Sequence, residues 1–145
     1  MKILVSACLM GENCKYNGGN NYSEKLHEFI QGHEVIMVCP EVMGGLPTPR
    51  LPSEIVGDRV VNSGGEDVTS EFIMGATKAM EYSSDVDMAI LQSRSPSCGT
   101  NEIYDGTFSG NKTKGDGIFV RMLKEKGIKV VDIKDLLKAS ILACL

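Results

Sequence analysis

The chain has 145 residues, of which 42% are hydrophobic and 23% are charged, and its formal net charge is −4. This length suffices for one hydrophobic core, so we expect a single domain over residues 1–145. The acidic balance without a basic block argues against nucleic acid as a partner. No apolar stretch approaches the about 20 residues of a membrane helix, and Met1 is not followed by a leader pattern. We therefore expect a cytoplasmic protein with no membrane partner.

The apolar pattern predicts strands alternating with helices. Short aliphatic runs, typical of a sheet buried on both faces, predict strands at 2–7, 34–38, 87–91 and 128–131. Helical spacing predicts helices at 23–31 with Ser23 as N-cap, at 69–83, at 117–126 with Asp116 as N-cap, and after Asp132. Residues 54–68 contain two β-rich runs with a break at 62–65, which predicts an antiparallel hairpin.

This order of elements predicts the fold class. Strands that alternate with helices favour an α/β, Rossmann-like domain of three layers, with a mainly parallel sheet of about four strands and a hairpin excursion. Two glycine-rich stretches, 9–22 and 93–115, have no predicted elements. Loops of this length in a compact domain are usually functional, so we expect the site among them.

Five cysteines occur in the chain, namely Cys8, Cys14, Cys39, Cys98 and Cys144. An odd number in a chain without a secretion signal favours free thiols or metal ligands over a disulfide framework. Cys8, Cys39 and Cys98 each follow one of the first three predicted strands, and parallel strands end at the same edge of a sheet. The pattern therefore predicts that these three thiols share one small ligand.

Alternatives to this interpretation remain open for each thiol. A free cysteine is most often a small buried hydrophobic residue, which is the preferred interpretation for Cys144 on the apolar face of the last helix. Cys14 fits a fourth ligand, a packing residue or a redox partner equally well. Three thiolates suit an iron–sulfur cluster with one open iron or a zinc ion completed by water, and composition does not choose between them.

Polar residues of the same stretches are candidates for substrate chemistry. Glu41 lies two positions after Cys39, and Ser95 and Ser97 flank Pro96 just before Cys98. Arg50 and Arg94 offer planar donors to an anionic or carbonyl-bearing ligand. Tyr104 begins "YDGTFSG", which suits a loop that covers a planar ligand. The alternatives are a capping or solvated glutamate, serines bonded to local backbone, surface ion pairs and an ordinary turn.

Four motifs together resemble a known family. The stretches "VSACLMGENCKYNGGNN", "VCPEVMGGLPTPR", "SRSPSCG" and "IYDGTFSG" are similar, in this order, to domain-of-unknown-function family 523, which includes short single-domain thiouracil desulfurases. The resemblance extends from Lys2 to about Val131. It implies an oxygen-sensitive 4Fe-4S cluster held by Cys8, Cys39 and Cys98, with one iron left free.

The resemblance also implies a reaction. Its substrate is a small thiolated base, which is hydrolysed without net redox change to a uracil-type product and sulfide. In this interpretation Glu41 transfers protons with help from Ser95, whereas the substrate-binding candidates are Ser97, Arg50, Arg94 and Tyr104. Two other functions stay open: a non-catalytic metal, cluster or small-ligand binding module, and a metal-free nucleotide-binding α/β enzyme.

Overall fold

The computed structural model describes residues 1–136 and places eight strands and four helices there. The strands are β1 (Lys2–Ser6), β2 (Glu34–Val38), β3 (Ser53–Val56), β4 (Arg59–Asn62), β5 (Met88–Leu91), β6 (Glu102–Tyr104), β7 (Lys112–Lys114) and β8 (Lys129–Asp132). The helices are α1 (Glu24–Phe29), α2 (Pro40–Met43), α3 (Thr69–Met80) and α4 (Ile118–Glu125).

A parallel sheet of four strands, in the order β2-β1-β5-β8, forms the centre of the fold. The predicted parallel sheet is thereby confirmed. Its register pairs Ser6 with Val38 and Leu91 with Asp132, so the carboxyl ends of the four strands lie along one edge. The segments that leave this edge are therefore neighbours in space, whatever their separation in the chain.

Helices cover both faces of the sheet, because successive strand residues point to opposite sides. On one face Ile3, Val5 and Ile90 pack with Leu26 of α1. On the other face Leu4, Ala89 and Leu91 pack with Ala76 of α3 and with Phe119 of α4. These two cores confirm the predicted three-layer, Rossmann-like architecture.

The predicted helix boundaries are partly correct. Ser23 caps α1 as predicted, since its Oγ accepts a hydrogen bond from the backbone N–H of Leu26 at 3.2 Å. The predicted cap of α4 is wrong: Gly117 occupies the N-cap position, and the Asp116 carboxylate instead accepts hydrogen bonds from Asn101 and Lys124. Carbonyl groups of the 93–99 loop satisfy the first amides of α4, so a side-chain cap is not needed there.

The second predicted helix ends earlier than expected. α3 stops at Met80 rather than at Ser83, because residues 81–83 form tighter turns with backbone bonds to residues three positions earlier. The buried Ser83 hydroxyl donates to the Met80 carbonyl at 2.7 Å, which satisfies an acceptor at the helix end.

Two antiparallel hairpins lie outside the main sheet. The predicted hairpin exists as β3 and β4, but its turn lies at residues 57–58 rather than at 62–65. Gly57 has a φ of +65°, which suits this tight turn, whereas Asn62 begins a second turn that brings Asp67 beside Val61. The hairpin of β6 and β7 was not predicted.

The chain after β8 is described only as far as residue 136. Residues 133–136 are helical, as predicted, and Ile133 and Leu136 join the core beside α1. The rest of the predicted last helix, including Cys144, lies outside the described residues. Across residues 1–136, every helix is too short or too polar to cross a membrane.

Candidate active site

A cavity of about 540 Å³ opens at the carboxyl edge of the sheet. It receives residues from the ends of β1, β2 and β5, together with parts of both glycine-rich stretches. Four cysteines line it: Cys8, Cys14, Cys39 and Cys98. The structure thus brings the three cysteines that follow the strands to one place, and it adds Cys14.

Cys8 is held by the turn that follows β1. Residues Ala7–Met10 form a single 3-10 turn, which ends at Gly11 with a φ of +94°. Asn21 donates its backbone N–H to the Cys8 carbonyl at 2.9 Å and its side-chain amide to Cys8 Sγ at 3.7 Å. The first glycine-rich stretch therefore folds back over Cys8 and fixes both its backbone and its sulfur.

Cys39 is positioned by the close packing of α2 against α3. Cys39 is the N-cap of α2, and Pro40 occupies the first turn of this helix. A methyl group on Gly75 of α3 would lie only 1.7 Å from the Pro40 carbonyl oxygen, and one on Gly44 only 2.0 Å from the Glu71 carbonyl oxygen. Only glycine allows this approach, which sets the positions of Cys39 and Glu41 relative to the sheet.

Cys98 sits on the N-terminus of α4. The amides of Ile118 and Phe119 donate to the carbonyls of Pro96 and Ser97 at 2.8 and 3.1 Å, respectively. The Cys98 amide donates to Ser95 Oγ at 2.7 Å. Cys98 is 5% exposed, so the loop presents a nearly buried thiol from a rigid support.

The thiols influence one another's ionisation. Burial raises the pKa of Cys98 to about 12, and the nearby charges of Cys39 and Cys8 add to this effect. Burial likewise raises the pKa of Cys8. A hydrogen bond from the Cys14 thiol lowers the pKa of Cys39 to about 7. If all three thiols ionise, the thiolates repel one another, so a bound cationic group would stabilise the ionised arrangement.

Glu41 is the centre of a polar network on the same wall. Arg50 Nε donates to Glu41 Oε1 at 3.2 Å, and both side chains are largely buried. Ser97 Oγ donates to Glu41 Oε2 at 2.9 Å and lies 3.2 Å from Ser95 Oγ. Because the Ser97 hydroxyl hydrogen is directed to Glu41, Ser95 is the donor to Ser97. A continuous path therefore leads from Ser95 through Ser97 to Glu41.

Arg50 also ties Glu41 to the first glycine-rich stretch. Its remaining N–H groups donate to the carbonyls of Pro47 and Cys14 and to Thr48 Oγ1, at 2.9–3.2 Å. The guanidinium is thus engaged within the protein, where it orients Glu41. Its predicted contact with substrate stays a prediction.

Arg94 and Tyr104 form another part of the cavity wall. The guanidinium carbon of Arg94 lies 5.8 Å from the centre of the Tyr104 ring, within the range of a cation–π contact. Arg94 adopts a φ of +66°, a left-handed conformation that is uncommon for arginine. The two predicted substrate-binding residues thus share one face of the cavity.

The cysteines share a cavity rather than a single coordination point. Among residues 1–136, no group of three or more Cys, His, Asp or Glu side chains is arranged to hold one metal ion. A zinc ion requires its ligands around one point at about 2.3 Å from each sulfur.

Comparison with known proteins agrees with this site. A family model described as 2-thiouracil desulfurase matches residues 3–135. The chain belongs to the 2-thiouracil desulfurase family. A solved structure described as the [4Fe-4S]-dependent thiouracil desulfidase TudS (DUF523Vcz) is 39% identical and has a TM-score of 0.87, with 99% of each chain covered. The uncharacterized protein YbbK of Bacillus subtilis (strain 168) is 40% identical, over 92% of this chain and 97% of YbbK.

Three further residues of this desulfurase-family site were not predicted. Asn21 contacts the Cys8 sulfur, and Glu54 and Phe108 line the same cavity. Asn21 is the last residue of the motif "VSACLMGENCKYNGGNN", and Phe108 lies in the loop "YDGTFSG", so both belong to segments that the sequence analysis singled out. Glu54 gave no such signal, because a glutamate in a β-rich run is usually exposed.

Proposed function

We propose that this protein hydrolyses the carbon–sulfur bond of a thiouracil-type base, releasing sulfide, with a 4Fe-4S cluster as cofactor. The observation that carries this proposal is the shared cavity of Cys8, Cys39 and Cys98 beside Glu41. Membership of the 2-thiouracil desulfurase family and the close structural likeness to TudS support the same reaction.

The residues present fit an iron–sulfur cluster. Thiolates are the usual ligands of such clusters, and each thiolate binds a different iron, so the sulfurs need not converge on one point. Cys8, Cys39 and Cys98 are the proposed ligands, because each is fixed by the end of a different strand. When bound, the cluster would supply Lewis-acid activation of the thiocarbonyl group of the substrate.

Glu41 is the proposed proton acceptor. A water molecule adds to the thiocarbonyl carbon and gives a proton to the Glu41 carboxylate. Arg50 and Ser97 hold one carboxylate oxygen each, so the carboxylate has a fixed orientation towards the cavity. Ser95 exchanges protons with Glu41 through Ser97, which gives the predicted catalytic serine a route to the carboxylate.

The reaction balances without an oxidant or a reductant. The carbon–sulfur bond breaks and a carbon–oxygen bond forms from water. Glu41 returns the first water proton to the leaving sulfur, which departs as hydrosulfide, and the second water proton is released to solvent as the carbonyl forms. Arg94 and Tyr104, with Ser97, are the proposed contacts of the base. These side chains would contact a small planar thiolated base, which is the proposed partner of the protein.

The direct test is sulfide release by anaerobically reconstituted protein. We expect 2-thiouracil or 4-thiouracil to give uracil and sulfide in a 1:1 ratio. A protein that carries its full cluster and releases no sulfide from either base would overturn the proposal and favour the non-catalytic binding module.

A further inference from the structure

Phe108 lies on the cavity wall in a strained backbone conformation. Its side chain is 38% exposed and lines the same cavity as the four cysteines. Its φ of +56° lies in the left-handed region, which bulky residues avoid because Cβ approaches the neighbouring carbonyl oxygen. A strained residue at a cavity wall persists only where the surrounding structure holds it in place.

Glu54 provides this restraint from a distant part of the chain. Its Oε1 accepts hydrogen bonds from the backbone N–H groups of Gly106 at 2.9 Å and of Phe108 at 3.2 Å. Gly106 in turn lies against β3, where a methyl group on it would come within 2.6 Å of the Ile55 carbonyl oxygen. One carboxylate of β3 therefore fixes the loop on both sides of residue 107.

Holding the loop through the Glu54 carboxylate costs free energy of folding. The residue is only 8% exposed, and within residues 1–136 no lysine or arginine forms an ion pair with it. A buried carboxylate that is balanced by backbone amides alone costs free energy. Such a departure from the rules of stable packing is typical of functional sites.

Phe108 offers an aromatic surface in the cavity that the four cysteines and Glu41 also line. The nearby Tyr104 ring already has the Arg94 guanidinium over it, so part of its surface is occupied. A planar pyrimidine bound in this cavity has a ring face that an aromatic side chain of the wall can cover. Stacking of a base on an aromatic side chain stabilises binding independently of hydrogen bonding.

We propose that Phe108 selects substrates with a flat aromatic ring and that Glu54 is the residue that positions it. This inference deepens the proposed function and rests on it. Phe108 recognises the ring rather than the reacting carbon–sulfur bond. Its loss therefore weakens binding of aromatic thiobases and leaves the chemical step unchanged.

The test compares two ligands that share the N–C(=S)–N group. 2-Thiouracil has a flat conjugated ring, whereas 5,6-dihydro-2-thiouracil has a puckered one. Because wild-type protein is proposed to consume 2-thiouracil, binding is measured in cluster-loaded Glu41→Gln protein, to which the variants below are added. Calorimetric titration should give about tenfold tighter binding of 2-thiouracil than of the dihydro compound, in line with base–aromatic stacking. Phe108→Leu should abolish this preference, and Phe108→Tyr should keep it.

Glu54 variants test the positioning role. Glu54→Ala should abolish the same preference, whereas Glu54→Gln keeps an oxygen acceptor and should retain it. Hydrogen exchange should show that Glu54→Ala, but not Glu54→Gln, loses protection at Gly106 and Phe108. Glu66→Ala, at an exposed acid of the other turn, is the matched control and should change neither measurement.

Steady-state kinetics test the role of Phe108 independently of the titration. For 2-thiouracil, Phe108→Leu should raise KM about tenfold at constant kcat. An unchanged ligand preference after Phe108→Leu, or Glu41→Gln protein with Phe108 intact that binds both ligands equally or neither, would overturn the inference. If Glu41→Gln protein shows the expected preference but wild-type protein releases no sulfide, the proposed function fails and the inference about Phe108 stands.

Discussion

Ser97 donates a hydrogen bond to Glu41 over 2.9 Å, although 56 positions separate the two residues in the chain. Glu41 belongs to the helix after β2, and Ser97 belongs to the loop after β5. The contact therefore joins two cysteine-bearing segments of the cavity, because Cys39 and Cys98 lie beside these two residues. It places the Glu41 carboxylate within the same frame as the thiols.

Glu41→Gln should lower kcat for sulfide release by a factor of 10² to 10⁴, the usual effect of losing a general base. Ser97→Ala should lower kcat by a smaller factor, since Glu41 keeps Arg50 as a partner. Neither residue is a proposed cluster ligand, so both variants should take up the cluster. Sulfide release should therefore be compared at matched iron content. Full activity in cluster-loaded Glu41→Gln would remove Glu41 from the mechanism.

Arg50→Met should destabilise the fold by about 3 kcal/mol, because it leaves a largely buried carboxylate without its charge partner. The matched control is Arg59→Met, which removes the exposed ion pair with Asp67 and should change stability little. Urea unfolding of both variants gives the two free energies. Equal effects would mean that burial does not strengthen the Glu41–Arg50 contact.

Gly75→Ala should destabilise the fold by about 1–3 kcal/mol, because the added methyl group cannot fit against the Pro40 carbonyl. Displacement of α2 should also weaken iron uptake, since Cys39 begins this helix. Ser70→Ala, at an exposed position of α3, is the control for helix propensity and should preserve both properties. If Gly75→Ala is destabilised but takes up iron normally, the packing of α2 does not control cluster binding and this prediction is wrong.

The sequence was sufficient to predict the sheet and its cysteine-bearing edge. Continuous aliphatic runs such as 34–38 are typical of buried parallel strands, and parallel strands must end together. The positions of Cys8, Cys39 and Cys98 follow from that rule alone. The identity of the polar candidates also came from local position, because Glu41 and Ser97 lie next to the thiols in the chain.

Features that depend on distant contacts were not predictable in the same way. Helix α2 has only four residues and is stabilised by its approach to α3, so local periodicity gave no signal for it. The hydrogen bonds from Gly106 and Phe108 to Glu54 join positions more than 50 residues apart. The Asp116 cap was wrongly predicted because the carbonyls that cap α4 come from the loop before Cys98.

Iron content of four single Cys→Ser variants tests the central claim most directly. After anaerobic reconstitution, wild-type protein and Cys14→Ser should each bind about four irons per chain, since three other cysteines are the proposed ligands. Cys8→Ser, Cys39→Ser and Cys98→Ser should each lose the cluster. Loss of the cluster in Cys14→Ser, or full iron uptake in any of the other three variants, would contradict the account.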